Sequence, residues 1–312
     1  MKKIILLLAA LLAIVIVIDL TQFSSNLTIL SILVPQFRLP RLIAIIIAAI
    51  ALSMAGLVTQ TLTNNPLADS GTLGLTSGAS FGAVSFVFLS SRFHLTGNWN
   101  FAYPIFAVVG AFLAFAILYL LALKKMSSSI KILLTGIAIT AVFQSIITLM
   151  QLSINSFDFQ KVAVWLSGDV WQTDNSSLIL TAICLLMLLA ILPLASKHLE
   201  VLNLGDDSAR TLGLNIARTK LYLYFFALLF AAIGVLLVGG LAFIGLIAPH
   251  ISRELVGFKL KRRVPVTMMT STIILVLADI VSQMVIAPSS LPLGFVVALI
   301  GAPYYIYLIQ KI

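Results

Sequence analysis

Ten apolar stretches, each close to the ~20 residues that cross a ~30 Å hydrocarbon core as a helix, run the length of this chain. They leave little from which to build a water-facing surface, since 61% of the 312 residues are hydrophobic and 9% are charged. A soluble domain of this length needs far more charge on its exterior. Inside lipid the backbone has to satisfy its own polar groups, and continuous helices do so within each segment. The expected fold is therefore all-α and polytopic, with residues 1–312 forming a single transmembrane domain. Ten transmembrane helices are predicted near 4–20, 42–60, 72–90, 104–123, 131–152, 177–195, 220–239, 243–257, 265–286 and 294–309. The eighth is short and interrupted by Pro249.

Positive charge orients the bundle. With the N-terminus in the cytoplasm, the inner segments hold Lys2, Lys3, Lys124, Lys125, Lys131, Lys197, Arg210, Arg218, Lys220, Arg253, Lys259, Lys261, Arg262, Arg263 and Lys311. The outer segments hold Arg38, Arg41, Arg92 and Lys161. Short basic loops resist translocation, so this split places both termini in the cytoplasm. The net charge of +9 is thereby explained as topology, and nucleic acid is not an expected partner. The start, MKKIILLLAALLAIVIVI, resembles a signal peptide but lacks a small-x-small cleavage site before Asp19, so an uncleaved first span is expected.

Two outer cations stand together. Arg38 and Arg41, in Arg38-Leu39-Pro40-Arg41, form a stiff basic pair suited to an acidic partner; snorkelling to lipid headgroups is the alternative. The outer connection at 153–176 is expected to hold a short interfacial helix, with Trp165 and Trp171 at belt positions. Its Asp158, Lys161, Asp169 and Asp174 leave a substrate mouth as the other reading. The inner connection at 197–220 predicts two short helices broken at Gly205 and Gly213, with Asp206 and Asp207 at the start of the second. A connection this long contacts either a soluble partner or the membrane surface. Gly- and Pro-rich stretches at 64–83 and 239–257 suit close backbone approach or broken helices. Their similar placement after spans 2 and 7 suggests an inverted repeat of spans 2–5 and 7–10.

Enzyme chemistry finds no support. No Walker A pattern occurs, so nucleotide-driven work needs another subunit. His94, His198 and His250 show no metal-ligand spacing, the single Cys184 cannot form an intrachain disulfide, and no serine has a His or Asp companion at helical spacing. No span carries a midplane carboxylate cluster of the kind a proton-coupled secondary transporter uses, although that class remains the alternative.

Several long segments, in order, resemble the FecCD-type permeases of binding-protein-dependent ABC importers for iron–siderophore, haem and vitamin B12. They are RLPR at 38–41, GLVTQTLTNNPLADSGTLGLTSGASFGA at 56–83, LNLGDDSARTLGLN at 202–215, GLAFIGLIAPHISRELVG at 240–257, LADI at 277–280 and LPLGFVVALIGAPYYIYLI at 291–309. The resemblance implies a ten-helix permease subunit of the bacterial cytoplasmic membrane, embedded in lipid and without a cofactor. It implies two permease subunits around a central pathway, two ATP-binding subunits beneath, and an extracytoplasmic substrate-binding protein, either lipoprotein or periplasmic. Ferric siderophore is the cargo so implied, with haem or cobalamin as alternatives. By the same resemblance Gly205, Asp206, Ala209, Arg210 and Gly213 belong to the coupling segment that engages the ATPase. Arg38 and Arg41 match arginines that meet acidic residues of the binding protein. Span 5, through Gln144, Thr148, Met150 and Gln151, and span 10 line the pathway. Where the family often has a further arginine after LADI, this chain has Gln283, which points to a different chain as the second permease, with a homodimer as the alternative.

Overall fold

The computed structural model describes residues 2–22, 31–93, 102–124, 128–170, 175–287 and 289–311, and these contain helices and connections but no strand. In chain order the helices are α1 (Lys2–Thr21), α2 (Leu39–Thr63), α3 (Leu75–Phe93), α4 (Ala102–Leu118), α5 (Ser129–Leu152) and α6 (Ser156–Leu166). There follow α7 (Asn175–Leu202), α8 (Asp206–Thr211), α9 (Ile216–Val238), α10 (Ile244–Val256), α11 (Leu260–Met284) and α12 (Leu293–Lys311). A π-wound turn, Val34–Arg38, leads into α2, and another, Tyr119–Leu123, prolongs α4.

Among the described residues eight helices are long and apolar enough to cross a membrane: α1, α2, α4, α5, α7, α9, α11 and α12. The remaining two expected spans are α3 and α10. Helix α3 has 19 residues, but Thr76, Ser77, Ser80 and Ser85 give it a hydroxyl-bearing side. Helix α10 has only 13 residues, about 20 Å, and is too short to cross alone. It is confined by Phe243, left-handed at φ +67°, and by Gly257 at φ +77°. Pro249 lies inside it without ending it.

Burial separates centre from rim. The apolar windows of α2, α9 and α11 are 83%, 72% and 61% buried, against 17% for α1 and 28% for α5 and α12. Helix α2 owes its place to small residues: Ala44, Ala48, Ala51 and Ala55 are fully buried, and Ser53 shares a 3.0 Å hydrogen bond with Ser271 of α11. Without a hydrophobic drive between helices in lipid, such small-residue packing and interhelical hydrogen bonding hold the bundle. At Gly56 the approach is closest, for an added Cβ would lie 1.8 Å from the Gly245 carbonyl oxygen of α10.

The connections differ instructively from expectation. The interfacial helix expected within 153–176 is α6, capped by Asn155, whose Oδ1 accepts from Asp158 N at 2.9 Å. Trp165 packs partly buried against the core, while Trp171, Asp174 and His94 lie outside the described residues. Only one of the two short helices expected at 197–220 forms. Residues 197–202 instead continue α7, because they hold no Gly or Pro and buried Leu199 and Leu202 extend the apolar stripe of Leu188, Leu192 and Ala195.

Candidate functional site

Two of the connections expected outside, the one before α2 and the one after α6, meet the end of α11 around Arg41. Its Nε lies 3.1 Å from both carboxylate oxygens of Asp279, and its Nη2 donates to Asp279 Oδ1 at 2.7 Å. Nη2 also reaches Asp169 Oδ1 at 3.3 Å, and Nη1 donates to the Val170 carbonyl at 3.1 Å. Gln283 Nε2 donates to the other Asp279 oxygen at 2.6 Å, while Gln22 Nε2 bonds Gln283 at 3.2 Å and Asp19 at 3.4 Å. Helices α1, α2 and α11 and the connection after α6 are thus tied together. In that connection, burial raises the Asp169 carboxyl above its ordinary pKa and the Arg41 charge opposes that rise.

This arrangement changes what the basic pair offers. Arg41 points at two carboxylates of its own chain, whereas Arg38 sends one nitrogen 2.6 Å to the Leu20 carbonyl and has no carboxylate partner among the described residues. The sequence shows no carboxylate cluster within a span, yet folding brings Asp169 and Asp279 onto one guanidinium and links Asp19 to them through Gln22 and Gln283. Gln283 completes this internal cluster.

A second feature lies deeper. A cavity of about 390 Å³ opens between the 64–74 connection, α3, α5, the α9–α10 connection and α12. Its polar wall is made by Asp69, Thr72, Thr76, Ser77, Thr140 and Gln144, and Phe243 and Tyr305 close the apolar side. Asp69 Oδ1 accepts from Ser70 N at 2.7 Å and stands over the first turn of α10, where a Cβ on Gly245 would meet it at 2.1 Å. A carboxylate is favoured there by the helix dipole. Of the four span-5 residues expected on the pathway, Gln144 lines this cavity and the others do not. Thr148 spends its hydroxyl on the Gln144 carbonyl at 2.9 Å on an exposed face. Met150 accepts from Ser85 Oγ at 3.8 Å and packs near Val84 and Val162, and Gln151 is half-buried. The hydroxyls of 72–80 do not announce a site in the sequence, because small polar residues beside glycines also signal plain helix packing.

At the opposite end from Arg41, α8 stands out from the bundle. Gly205 takes φ +95° to turn the chain into it, and Gly213 takes φ +83° to turn it out. Asp206 and Asp207 occupy its first turn, and Asp206 Oδ2 accepts from Lys220 Nζ of α9 at 2.7 Å. Ala209 is fully buried and anchors the hairpin to the core, whereas Arg210 is exposed, 3.9 Å from Asp207. Leu204 and Leu212 flank α8 with 62% and 65% of their surface open. The hairpin thus buries Ala209 and leaves Leu204 and Leu212 open on either side of α8.

Comparison with known proteins places this architecture. The family model described as the FecCD transport family matches residues 3–311. This chain belongs to the FecCD transport family. It is 36% identical over 280 residues to the iron(3+)-hydroxamate import system permease protein FhuG of Bacillus subtilis (strain 168), covering 88% of this chain and 83% of that protein. It is 32% identical to the Fe(3+) dicitrate transport system permease protein FecD of Escherichia coli (strain K12), over 88% and 84% of the two. A solved structure described as an inward-facing conformation of a putative metal-chelate type ABC transporter superposes with a TM-score of 0.87 at 26% identity, covering 100% of this chain and 99% of that one. As a family member the chain is a multi-pass ABC permease subunit, and nucleotide hydrolysis belongs to an ATPase partner.

Proposed function

We propose that this permease imports a ferric siderophore across a bacterial cytoplasmic membrane, fed from outside by a substrate-binding protein. The observation that carries the cargo is the 36% identity to an iron(3+)-hydroxamate permease across most of both chains. Three parts of the structure suit such a role. They are a tied outer end, a hydroxyl-lined cavity at membrane depth, and a protruding hairpin at the other end. In this reading the binding protein settles on the outer end, where Arg38 offers the docking charge and Arg41 holds that end together. The cargo moves beside Gln144 between this subunit and a second permease, which covers the exposed face of α5. ATP closes the ATPase pair, and Gly205, Asp206, Ala209, Arg210 and Gly213 pass that movement to the spans. Charge segregation supports cytoplasmic termini.

A proteoliposome assay with the ATPase, the second permease and the binding protein tests the proposal. ATP-dependent accumulation of ferric hydroxamate is expected. Accumulation of haem or cobalamin in its place would overturn the cargo, and uptake driven by a proton gradient without ATP would overturn the mechanism.

A further inference from the structure

A cavity of about 400 Å³ lies where the ends of α4, α5 and α9 meet beside α8. Lys124, Arg218 and Lys220 face it, together with Ser128 and Ser129, and Asp206 is the one carboxylate on its wall. That carboxylate is already engaged by Lys220. Lys124 and Arg218 have no carboxylate within ion-pair distance among the described residues. The cavity therefore carries about two uncompensated positive charges, beside the N-terminus of a 24-residue helix. Ser128 caps that helix by accepting from Lys131 N at 3.4 Å, leaving first-turn N–H groups to face an anion.

The remaining wall is apolar, made by Tyr119, Leu123, Ile132 and Leu221. Neighbouring positions on the same helices expose Leu120, Leu121, Leu134 and Tyr222. A soluble anion uses only the charged half of such a site. A ligand with a charged head and long apolar chains uses both halves, and the basic residues lie on the side that charge segregation assigns to the cytoplasm.

From this geometry we infer that the cavity binds the phosphodiester headgroup of an anionic phospholipid of the inner leaflet. The headgroup sits between Lys124, Arg218 and the start of α5, and its acyl chains follow the apolar flank of α4. Lys220 is shared between the cavity and Asp206, the first residue of α8. An occupant therefore bears on the tether that positions the hairpin. The binding site stands independently of the transport reading; only the effect on coupling rests on α8 being the ATPase contact.

The test uses the purified permease, alone and in complex with its ATPase subunits. Native mass spectrometry reads retained lipid after incubation with phosphatidylglycerol, phosphatidylcholine, or phosphatidylglycerol plus excess inorganic phosphate. Phosphatidylglycerol should be retained, phosphatidylcholine should not, and phosphate should fail to displace the lipid. The paired substitution Lys124→Gln and Arg218→Gln should weaken retention about thirty-fold. Lys124→Arg with Arg218→Lys should restore it, and Lys197→Gln with Lys261→Gln, on the same side of the membrane, should leave it unchanged. Equal retention by the Gln pair would overturn the site. Displacement by phosphate would reassign it to a free anion, and exclusion of lipid once the ATPase binds would reassign it to an acidic group of that subunit. ATP hydrolysis by the complex should be higher in phosphatidylglycerol vesicles than in phosphatidylcholine, and the Gln pair should erase the difference. Retained lipid with no such difference would sever the site from coupling while leaving binding intact.

Discussion

Arg41 of α2 and Asp279 of α11, 238 residues apart in sequence, share three short contacts at one end of the bundle. The Asp279 side chain is 1% exposed and that of Arg41 is 24% exposed, so each is the other's main compensation. The pair binds an early helix to a late one, and Asp169 and Gln283 extend the bond to the connection after α6 and to α1 through Gln22.

Removing one partner should be costly. Arg41→Ala leaves a buried carboxylate without its cation, a change that typically costs about 3–5 kcal/mol. The expected outcome is a marked fall in melting temperature of the detergent-purified protein. Arg41→Gln combined with Asp279→Asn should recover much of that loss, because neither charge is then stranded. An additive double mutant would contradict the internal role.

Gly56→Val should prevent correct packing of α2 on α10, since its first added carbon falls on the Gly245 carbonyl. Overpacking of side chains costs about 1–3 kcal/mol, and a backbone collision should exceed that. Loss of monodisperse protein in size-exclusion chromatography is the measure.

Leu204→Ser with Leu212→Ser should leave the fold intact, shifting stability by no more than about 0.5 kcal/mol at each surface position. Co-purification of the ATPase subunit should nonetheless drop. Unchanged recovery would exclude the two leucines from the contact.

Gly205→Ala meets open space, yet its φ of +95° strains any side chain, by about 1–3 kcal/mol. The hairpin should shift locally, so ATP hydrolysis should become less dependent on cargo while the global melting temperature changes little.

Gln144→Trp should fill the cavity beside Asp69 and slow uptake, with assembly of the complex preserved. Met150→Ala should instead lower thermal stability, because that side chain packs between α3, α5 and α6. Equal uptake defects in the two variants would remove Gln144 from the pathway.

Most spans could be read directly, because about twenty consecutive apolar residues have few alternatives to crossing lipid as a helix. The extension of α7 could not: the spacing of Leu199 and Leu202 is the same in a continued helix as in a new one. The partners of Arg41 were equally hidden, for nothing local to Asp169 or Asp279 tells which distant cation folding will bring. Ala209 stood in the apolar spacing of the 197–220 connection, family resemblance alone marked it as a coupling residue, and the structure buries it fully. Asp69 lies within a segment that carries the resemblance, but its position over a helix start depends on where α10 begins, which no local residue marks.

The brevity of α10 and the hydroxyl side of α3 also bear on how the protein is made. Neither segment gains enough from hydrocarbon to leave the translocon by itself. Each must be carried in by an apolar neighbour: α2, already in place, for the first, and α4, which follows it and packs along it, for the second. Biogenesis is thereby ordered: shortening either escort should strand its passenger at the membrane surface during synthesis, before any importer exists to be assembled.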